Sequence, residues 1–384
     1  MEFSNGINAP KENYGKGRKM ISVMDILADE PIVYGNIRNS VQVDDKTESK
    51  NKVENGDLVF VRSSEIPDEV GWAKAYRQEE YALYSGFSIR GKKKSDFDAK
   101  FIELSLNNSN REQIERKAGG STRFNVSQSI LKSIEILEPS IEEQIEIGNF
   151  FERLDETIAL HQQELTILKQ TKQGFLQKML PKEGESMPEV RFPGFTEEWE
   201  QRKLNEVAEI IGGGTPSTAI QEYWGGDIDW YSPVEIGKET YAFGSQRKIT
   251  ALGLRKSSAK VLPANKTILF TSRAGIGDMA ILKKDGATNQ GFQSLVVNNN
   301  YDIYFVYSMG YKIKEFALKH ASGSTFLEIS AKGLGKMDLF VPSLEEQIKI
   351  GNFFKQLDDT ITLHQRELVA LKETKKAFLQ KMFA

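Results

Sequence analysis

One long internal repeat constrains this chain more than any other feature. Residues 139–180 read PSIEEQIEIGNFFERLDETIALHQQELTILKQTKQGFLQKML, and residues 342–383 read PSLEEQIKIGNFFKQLDDTITLHQRELVALKETKKAFLQKMF. The offset is constant at 342 − 139 = 203, and 29 of the 42 positions are identical without a gap. That period is far too long for a solenoid, so it indicates two tandem copies of a whole module. Upstream the match thins. Gly120-Ser121-Thr122 matches Gly323-Ser324-Thr325, Ser127 matches Ser330, and Leu131 matches Leu334 at the same offset. Further back, Val59-Phe60-Val61-Arg62 corresponds to Leu269-Phe270-Thr271 only with a changed offset. Each module is thus a variable globular part followed by a nearly invariant tail. Such a pair suggests two related readers of different targets on a shared frame.

The tails read as helices. Ser140 with Glu143, and Ser343 with Glu346, have the S-x-x-E spacing of a capping box, each preceded by a proline. Residues then recur at alternating steps of four and three. The first series is Ile147, Phe151, Leu154, Ile158, His161, Leu165, Leu168, Lys172, Phe175 and Met179. The second is Ile350, Phe354, Leu357, Ile361, His364, Leu368, Leu371, Lys375, Phe378 and Met382. A sustained 4-3 alternation is the seam of a coiled coil. The helix pair is therefore expected to meet along Phe151, Leu154, Ile158, His161, Leu165 and Leu168 on one side and Phe354, Leu357, Ile361, His364, Leu368 and Leu371 on the other. About 40 residues at ~1.5 Å each make rods of roughly 60 Å. Periodicity alone leaves parallel and antiparallel pairing open.

The length of 384 residues suits two or three domains. The expected division is a globular domain over 1–138, a helix over 139–181, a linker and second globular domain over 182–341, and a second helix over 342–384. Pro181 stops the first helix, and Pro181–Glu189 has the composition of an exposed linker. The globular parts read as α+β. Leu58–Val61, Thr267–Phe270, Ala280–Leu282 and Ser294–Val297 are β-prone, and Tyr301–His320 reads as one helix. No regular βαβ alternation appears, which argues against a doubly wound sheet.

Composition removes several classes of function. With no cysteine, disulfide scaffolds, thiol catalysis and Cys-ligated metal sites are excluded. No apolar run approaches the ~20 residues of a membrane span. The N-terminus lacks the apolar core of a signal peptide, so cytoplasm is the expected location and no membrane contact is expected. Lys and Arg total 51 against 54 Asp and Glu, a balance that argues neither for nor against nucleic acid.

Catalytic motifs do not emerge. The three histidines are His161, His320 and His364; two sit on the helix seams, where a polar residue fixes register. Without cysteine or acidic ligands they make a poor metal site, so no metal is expected. Gly212-Gly213-Gly214-Thr215-Pro216-Ser217 lacks the Gly-Lys-Ser/Thr ending of a phosphate loop and reads as a flexible turn. Asp44-Asp45-Lys46-Thr47-Glu48-Ser49-Lys50 loosely resembles a metal-dependent nuclease centre, but its polar surroundings read as a solvated loop. No catalytic residue is assigned. What remains is hydrogen-bonding and cationic residues at turns: Arg62, Ser63, Arg90, Lys92, Ser121, Thr122 and Arg123 in the first module, and Thr215, Ser217, Ser272, Arg273, Asn289, Gln290, Ser324 and Thr325 in the second. Asn and Gln can pair bidentately with adenine and Arg with guanine, while Lys, Ser and Thr suit phosphate oxygens. These fifteen are the candidate DNA contacts.

Taken together, the paired P-S-[IL]-E-E-Q-I-x-I-G-N-F-F tails with L-D-[ED]-T-I-x-L-H-Q resemble those of the specificity subunit of type I restriction–modification enzymes. Trp199-Glu200-Gln201-Arg202-Lys203-Leu204 followed by Gly212–Ser217 is similar to the start of that family's target-recognition domains. Ile268–Arg273 and Asn289-Gln290-Gly291-Phe292 look like its internal segments. The resemblance implies two target-recognition domains separated by a pair of long conserved helices forming an antiparallel coiled coil. Each domain would read one half of a split double-stranded DNA sequence, and the helices would set the gap. Two methyltransferase subunits and up to two restriction/translocase subunits would be the partners. S-adenosylmethionine, ATP and Mg²⁺ would lie on those partners, with no cofactor in this chain. A coiled-coil protein adaptor without DNA specificity is the alternative. One departure stands out: the first module has no counterpart of the W-E-x-x-K-L segment. Either other chain elements complete that domain or the module is shortened.

Overall fold

The computed structural model describes residues 1–182, 184–273, 275–323 and 327–383. It divides into two units, Met1–Glu164 with Gln365–Ala384, and Leu165–His364. The division falls inside both long helices, Ile141–Met179 and Leu344–Met382. Each unit therefore holds one globular part and half of each long helix, and the two are described separately.

Within each unit the helix halves run antiparallel, and the pairings repeat. In unit 1 the Phe150 ring lies 5.0 Å from Phe378, and Asp155 meets Lys375 at 2.6 Å. In unit 2 the Phe175 ring lies 5.0 Å from Phe353, and Lys172 meets Asp358. Adding 203 to 150 gives 353, and subtracting it from 378 gives 175, so these are the same contacts made twice. All twelve seam residues are buried or half-buried. The seam is apolar because its burial from water drives the helices together. At its end the row frays, with Phe378 and Met382 exposed. Ser140 Oγ accepts from Glu143 N at 3.2 Å and Ser343 Oγ from Glu346 N at 3.4 Å, as the capping spacing requires. The reciprocal half of the expected box is absent at Glu346. Its carboxylate is instead gripped by Arg191, through Nε at 2.8 Å and Nη2 at 2.7 Å.

Unit 1 is built on a four-stranded antiparallel sheet in the order Glu2–Asn5, Ser88–Lys92, Leu58–Val61, Ala73–Ala75. A three-stranded sheet, Ser40–Val41, Tyr14–Ile21, Leu83–Tyr84, lies in the same unit, its last pair parallel. Unit 2 repeats the plan. Its larger sheet runs Ala208–Gly212, Gln293–Val297, Thr267–Phe270, Met279–Leu282, Tyr241–Ala242, and its three-stranded sheet runs Arg247–Ile249, Trp224–Tyr231, Gly286–Thr288, again with a parallel last pair. A separate antiparallel pair joins Glu200–Lys203 to Asp338–Val341.

Backbone hydrogen bonds fix the equivalence where the sequence does not. Arg62 N donates to Phe87 O at 2.9 Å, as Ser272 N does to Gly291 O at 2.8 Å. Val126 N donates to Arg62 O at 3.0 Å, as Ile329 N does to Ser272 O at 3.1 Å. Val61 thus corresponds to Thr271, an offset of 210, in agreement with the Val59–Arg62 match read from sequence. The uncovered start of the first module is met by another part of the chain. Phe383 stands 5.5 Å from Phe101, the place where Trp199 stands 5.7 Å from Phe305 in unit 2.

The invariant motif of the tails docks each helix onto its own domain. Gln144 Oε1 accepts from Asp98 N at 3.2 Å while its Nε2 donates to Pro139 O at 3.0 Å. Gln347 repeats this with Asp302 N at 3.1 Å and Pro342 O at 2.9 Å. Asp98 and Asp302 cap the helices Ala99–Asn107 and Ile303–Ser308.

Two expectations differ. Tyr301–His320 is not one helix. It breaks at Met309, whose backbone leaves the helical region at φ −77° and ψ 1° and ends Ile303–Ser308 before Gly310–His320 begins. The Asp44–Lys50 stretch is not a loop. Asp44 caps the helix Asp45–Lys50, accepting from Thr47 N at 2.9 Å. Its carboxyl titrates below the usual carboxylate range, first through the Thr47 hydroxyl bond. Among the described residues, no helix is long and apolar enough to cross a membrane.

Candidate nucleic-acid interface

In each unit the parallel strand pair of the smaller sheet delivers two chain exits to one end. In unit 2, Trp224–Tyr231 and Gly286–Thr288 end together, and Asn289 N donates to Tyr231 O at 3.0 Å. Asn289 Oδ1 accepts from Gly291 N at 2.7 Å, closing an Asx turn that leaves Gln290 exposed at its tip. Thr215 Oγ1 bonds Gln290 Oε1. The glycines before Thr215 make this approach possible. A Cβ on Gly213 would lie 1.9 Å from Asn289 O, and one on Gly214 2.3 Å from Ser258 Oγ. They serve close packing, not the flexibility expected of a glycine turn. Arg273, half-buried, sits with its Nε 3.6 Å from the Cβ position of Gly291 and its Nη1 3.9 Å from Glu328. Thr215, Arg273, Asn289 and Gln290 therefore come together. Ser217 is exposed nearby, its carbonyl taking the Trp224 indole N–H at 3.1 Å.

Unit 1 builds the same corner from different side chains. Tyr14–Ile21 and Leu83–Tyr84 end together, and Ser85 N donates to Ile21 O at 3.0 Å. Ser85 thus takes the place of Asn289. Arg62 reaches Gly86 O from Nη1 at 3.4 Å, and Arg123 Nε donates to Ser63 Oγ at 2.9 Å. The Arg123 guanidinium also lies 5.9 Å from the centre of the Phe87 ring, whose side chain is exposed. Ser121 and Thr122 are exposed on a loop closed by mutual backbone bonds between Gly119 and Asn125 at 3.1 and 2.9 Å.

Three candidates are placed elsewhere. Arg90 lies inside a strand and is buried; its guanidinium donates to Lys52 O and packs 5.6 Å from the Tyr84 ring centre. It is a structural cation, misread as part of a basic turn. Ser272 is fully buried beneath the corner, where its backbone joins the sheet. Lys92 ends the strand that begins beside Phe87, so it lies at the far end, paired with Glu54 at 2.9 Å. Ser324 and Thr325 lie outside the described residues. Phe87 and Ser85 were missed because unit 1 has no Asn-Gln pair to attract attention. The signal is the Tyr84-Ser85-Gly86-Phe87 segment once the strands are aligned.

Electrostatically each corner carries an arginine or two among amides and hydroxyls. Below the unit 2 corner, burial, with help from Asp229 and Glu235, pushes the Tyr231 hydroxyl above its ordinary range. It stays protonated near neutral pH. These groups supply paired donors and acceptors and positive charge, the chemistry that reads base edges and holds phosphates.

Two copies of one two-sheet domain, each presenting a polar loop corner, define a duplicated recognition module. The chain belongs to the family described as the type I restriction modification DNA specificity domain, whose model matches residues 10–170 and 196–373. It is 35% identical over 192 residues to the specificity subunit of the type I restriction enzyme MjaIX of Methanocaldococcus jannaschii, covering 47% of this chain and 44% of that one. It is 31% identical over 170 residues to the EcoR124I/EcoR124II specificity subunit of Escherichia coli, covering 42% and 41%. The chain thus spans less than half the length of these two relatives. Its fold is similar to the S subunit of a type I restriction–modification system from M. genitalium, with a TM-score of 0.65 at 18% identity, covering 100% of this chain and 93% of that one.

Proposed function

We propose that this chain is the DNA sequence-specificity subunit of a type I restriction–modification complex. Each unit reads one half of a bipartite double-stranded target through its loop corner. The long helices space the two readings and hold methyltransferase subunits, with restriction/translocase subunits joining them. S-adenosylmethionine, ATP and Mg²⁺ belong to those partners, and this chain contributes recognition without catalysis. The observation that carries the reading is the repeated corner. Two units of one plan present Arg62, Ser63, Arg123 and Phe87 in one case and Thr215, Arg273, Asn289 and Gln290 in the other. A common frame with unlike reading groups suits two unlike half-sites. The test is selection of bound duplexes from a random pool by the full chain with its methyltransferase subunit. Enrichment of two short motifs at a fixed separation supports the reading. Binding without any sequence enrichment sinks it.

A further inference from the structure

Beside each polar corner, at one equivalent position, stands an exposed apolar side chain that folding does not explain. The turn after the central strand reads Ser22-Val23-Met24-Asp25-Ile26 in unit 1 and Ser232-Pro233-Val234-Glu235-Ile236 in unit 2, an offset of 210. Its other shared members each have a structural task. Asp25 Oδ2 accepts from Ser22 N at 2.8 Å and from Ser22 Oγ at 2.6 Å. Glu235 Oε2 accepts from Ser232 N and Oγ, both at 2.8 Å. Ile26 and Ile236 are buried in the cores. Met24 and Val234, between them, are 77% and 83% exposed.

A single exposed apolar residue is ordinary. The same exposed apolar position, kept in two domains whose sequences have otherwise diverged, needs a reason. Its place supplies one. The strands leading into these turns end at Ile21 and Tyr231, whose carbonyls hold Ser85 N and Asn289 N, the first residues of the reading loops. In unit 2, Pro233 Cγ lies 2.8 Å from the Cβ position of Gly291, in the Asn289 turn itself. The capping box on one side and the buried isoleucine on the other pin the turn, so little freedom is lost when the side chain is covered.

We propose that Met24 and Val234 are base-reading residues, each laid against the C5 edge of a pyrimidine in the major groove. The polar loops read donors and acceptors. An apolar side chain beside them adds what those groups cannot sense, the methyl that distinguishes thymine. This rests on the DNA-reading function proposed above.

The experiment measures binding of the full chain, with its methyltransferase subunit, to its selected target. One at a time, each thymine is replaced by deoxyuridine and each cytosine by 5-methylcytosine. One position in each half-site is expected to change affinity about fourfold, the effect of one buried methyl or methylene group. Val234→Ala should abolish that sensitivity in one half only, and Met24→Ala in the other only. Indifference of the native chain to every methyl swap, or sensitivity that persists in both variants, overturns the inference while leaving sequence-specific binding intact. A native chain without sequence preference overturns the underlying function instead.

Discussion

The carboxylate of Asp98 fills the space that any side chain at Gly148 would need: a Cβ there would lie 2.2 Å from Asp98 Oδ1. Gly351 stands in the same relation to Asp302, again at 2.2 Å. These glycines have ordinary helical backbone, so the constraint is purely one of approach. Each lets a long helix press against the capped end of its own domain's helix. Gly148→Ala and Gly351→Ala should each destabilise their own unit by about 1–3 kcal/mol, the usual range for overpacking. Denaturant unfolding followed by a probe in each unit checks this. Equal loss in both units from either substitution would contradict it.

Unit 1 buries an ammonium at this junction. Lys100 Nζ lies 2.8 Å from Glu103 and 3.0 Å from Asp155, which also pairs with Lys375. Unit 2 places the Tyr304 hydroxyl against Asp358 at 2.7 Å in the equivalent spot. Burial works against the Lys100 charge, but Glu103 and Asp155 outweigh it and raise its pKa above the ordinary value. A raised pKa means the folded chain keeps this proton longer than the unfolded one. The stabilisation is therefore complete below the ordinary lysine value of about 10.4 and fades as pH climbs through the folded value. Lys100→Met leaves the buried Glu103 carboxylate without its ion-pair partner and Asp155 with Lys375 alone, and should cost about 3–5 kcal/mol. Its loss of stability should be steady from pH 7 to 10 in urea titrations. A difference from the native chain that vanishes below pH 9 would contradict the assignment.

Lengthening both helices tests their role as a spacer. One heptad inserted between Glu164 and Leu165, and another between His364 and Gln365, preserves the seam and adds about 10.5 Å. At roughly 3.4 Å per base pair, the gap in the selected target should grow by about three base pairs. An unchanged gap in the selected sequences would remove the spacer role.

Substituting Arg273, Asn289 and Gln290 together by alanine should alter only the half-site read by unit 2. The loss should be about 1–3 kcal/mol for each bidentate base contact removed, with the other half-motif intact. Competition binding with single-base variants of the target gives the number. Weakening spread evenly over both half-sites would reassign these residues to phosphate contact.

The helices were legible because their signals are local and repeated: the Ser140 and Ser343 caps and the 4-3 row through Phe151 and Phe354. The strands Leu58–Val61 and Thr267–Phe270 were legible because fully buried strands are short apolar runs. The equivalence of the two sheets was legible only at Val59–Arg62, because beyond that segment it is held by backbone hydrogen bonds, such as those at Arg62 and Ser272, that any side chain permits. Gly148 and Gln144 gave no sign of their docking role, since it depends on Asp98, far away in sequence. Arg90 was misplaced for a related reason. A buried arginine and a surface arginine look alike until the partner, here the carbonyl of Lys52, is seen. At the candidate interface, residue type marked Asn289, Gln290 and Arg273. It could not mark Ser85 and Phe87, whose importance comes from position alone.

The most direct measurement is base-resolution mapping of methyladenine in DNA from cells that express this chain with the methyltransferase subunit proposed as its partner. The proposed function predicts a split motif with a fixed gap, one half of which changes in the Arg273, Asn289 and Gln290 triple variant. Methylation without a sequence motif, or none at all from an intact complex, would contradict it.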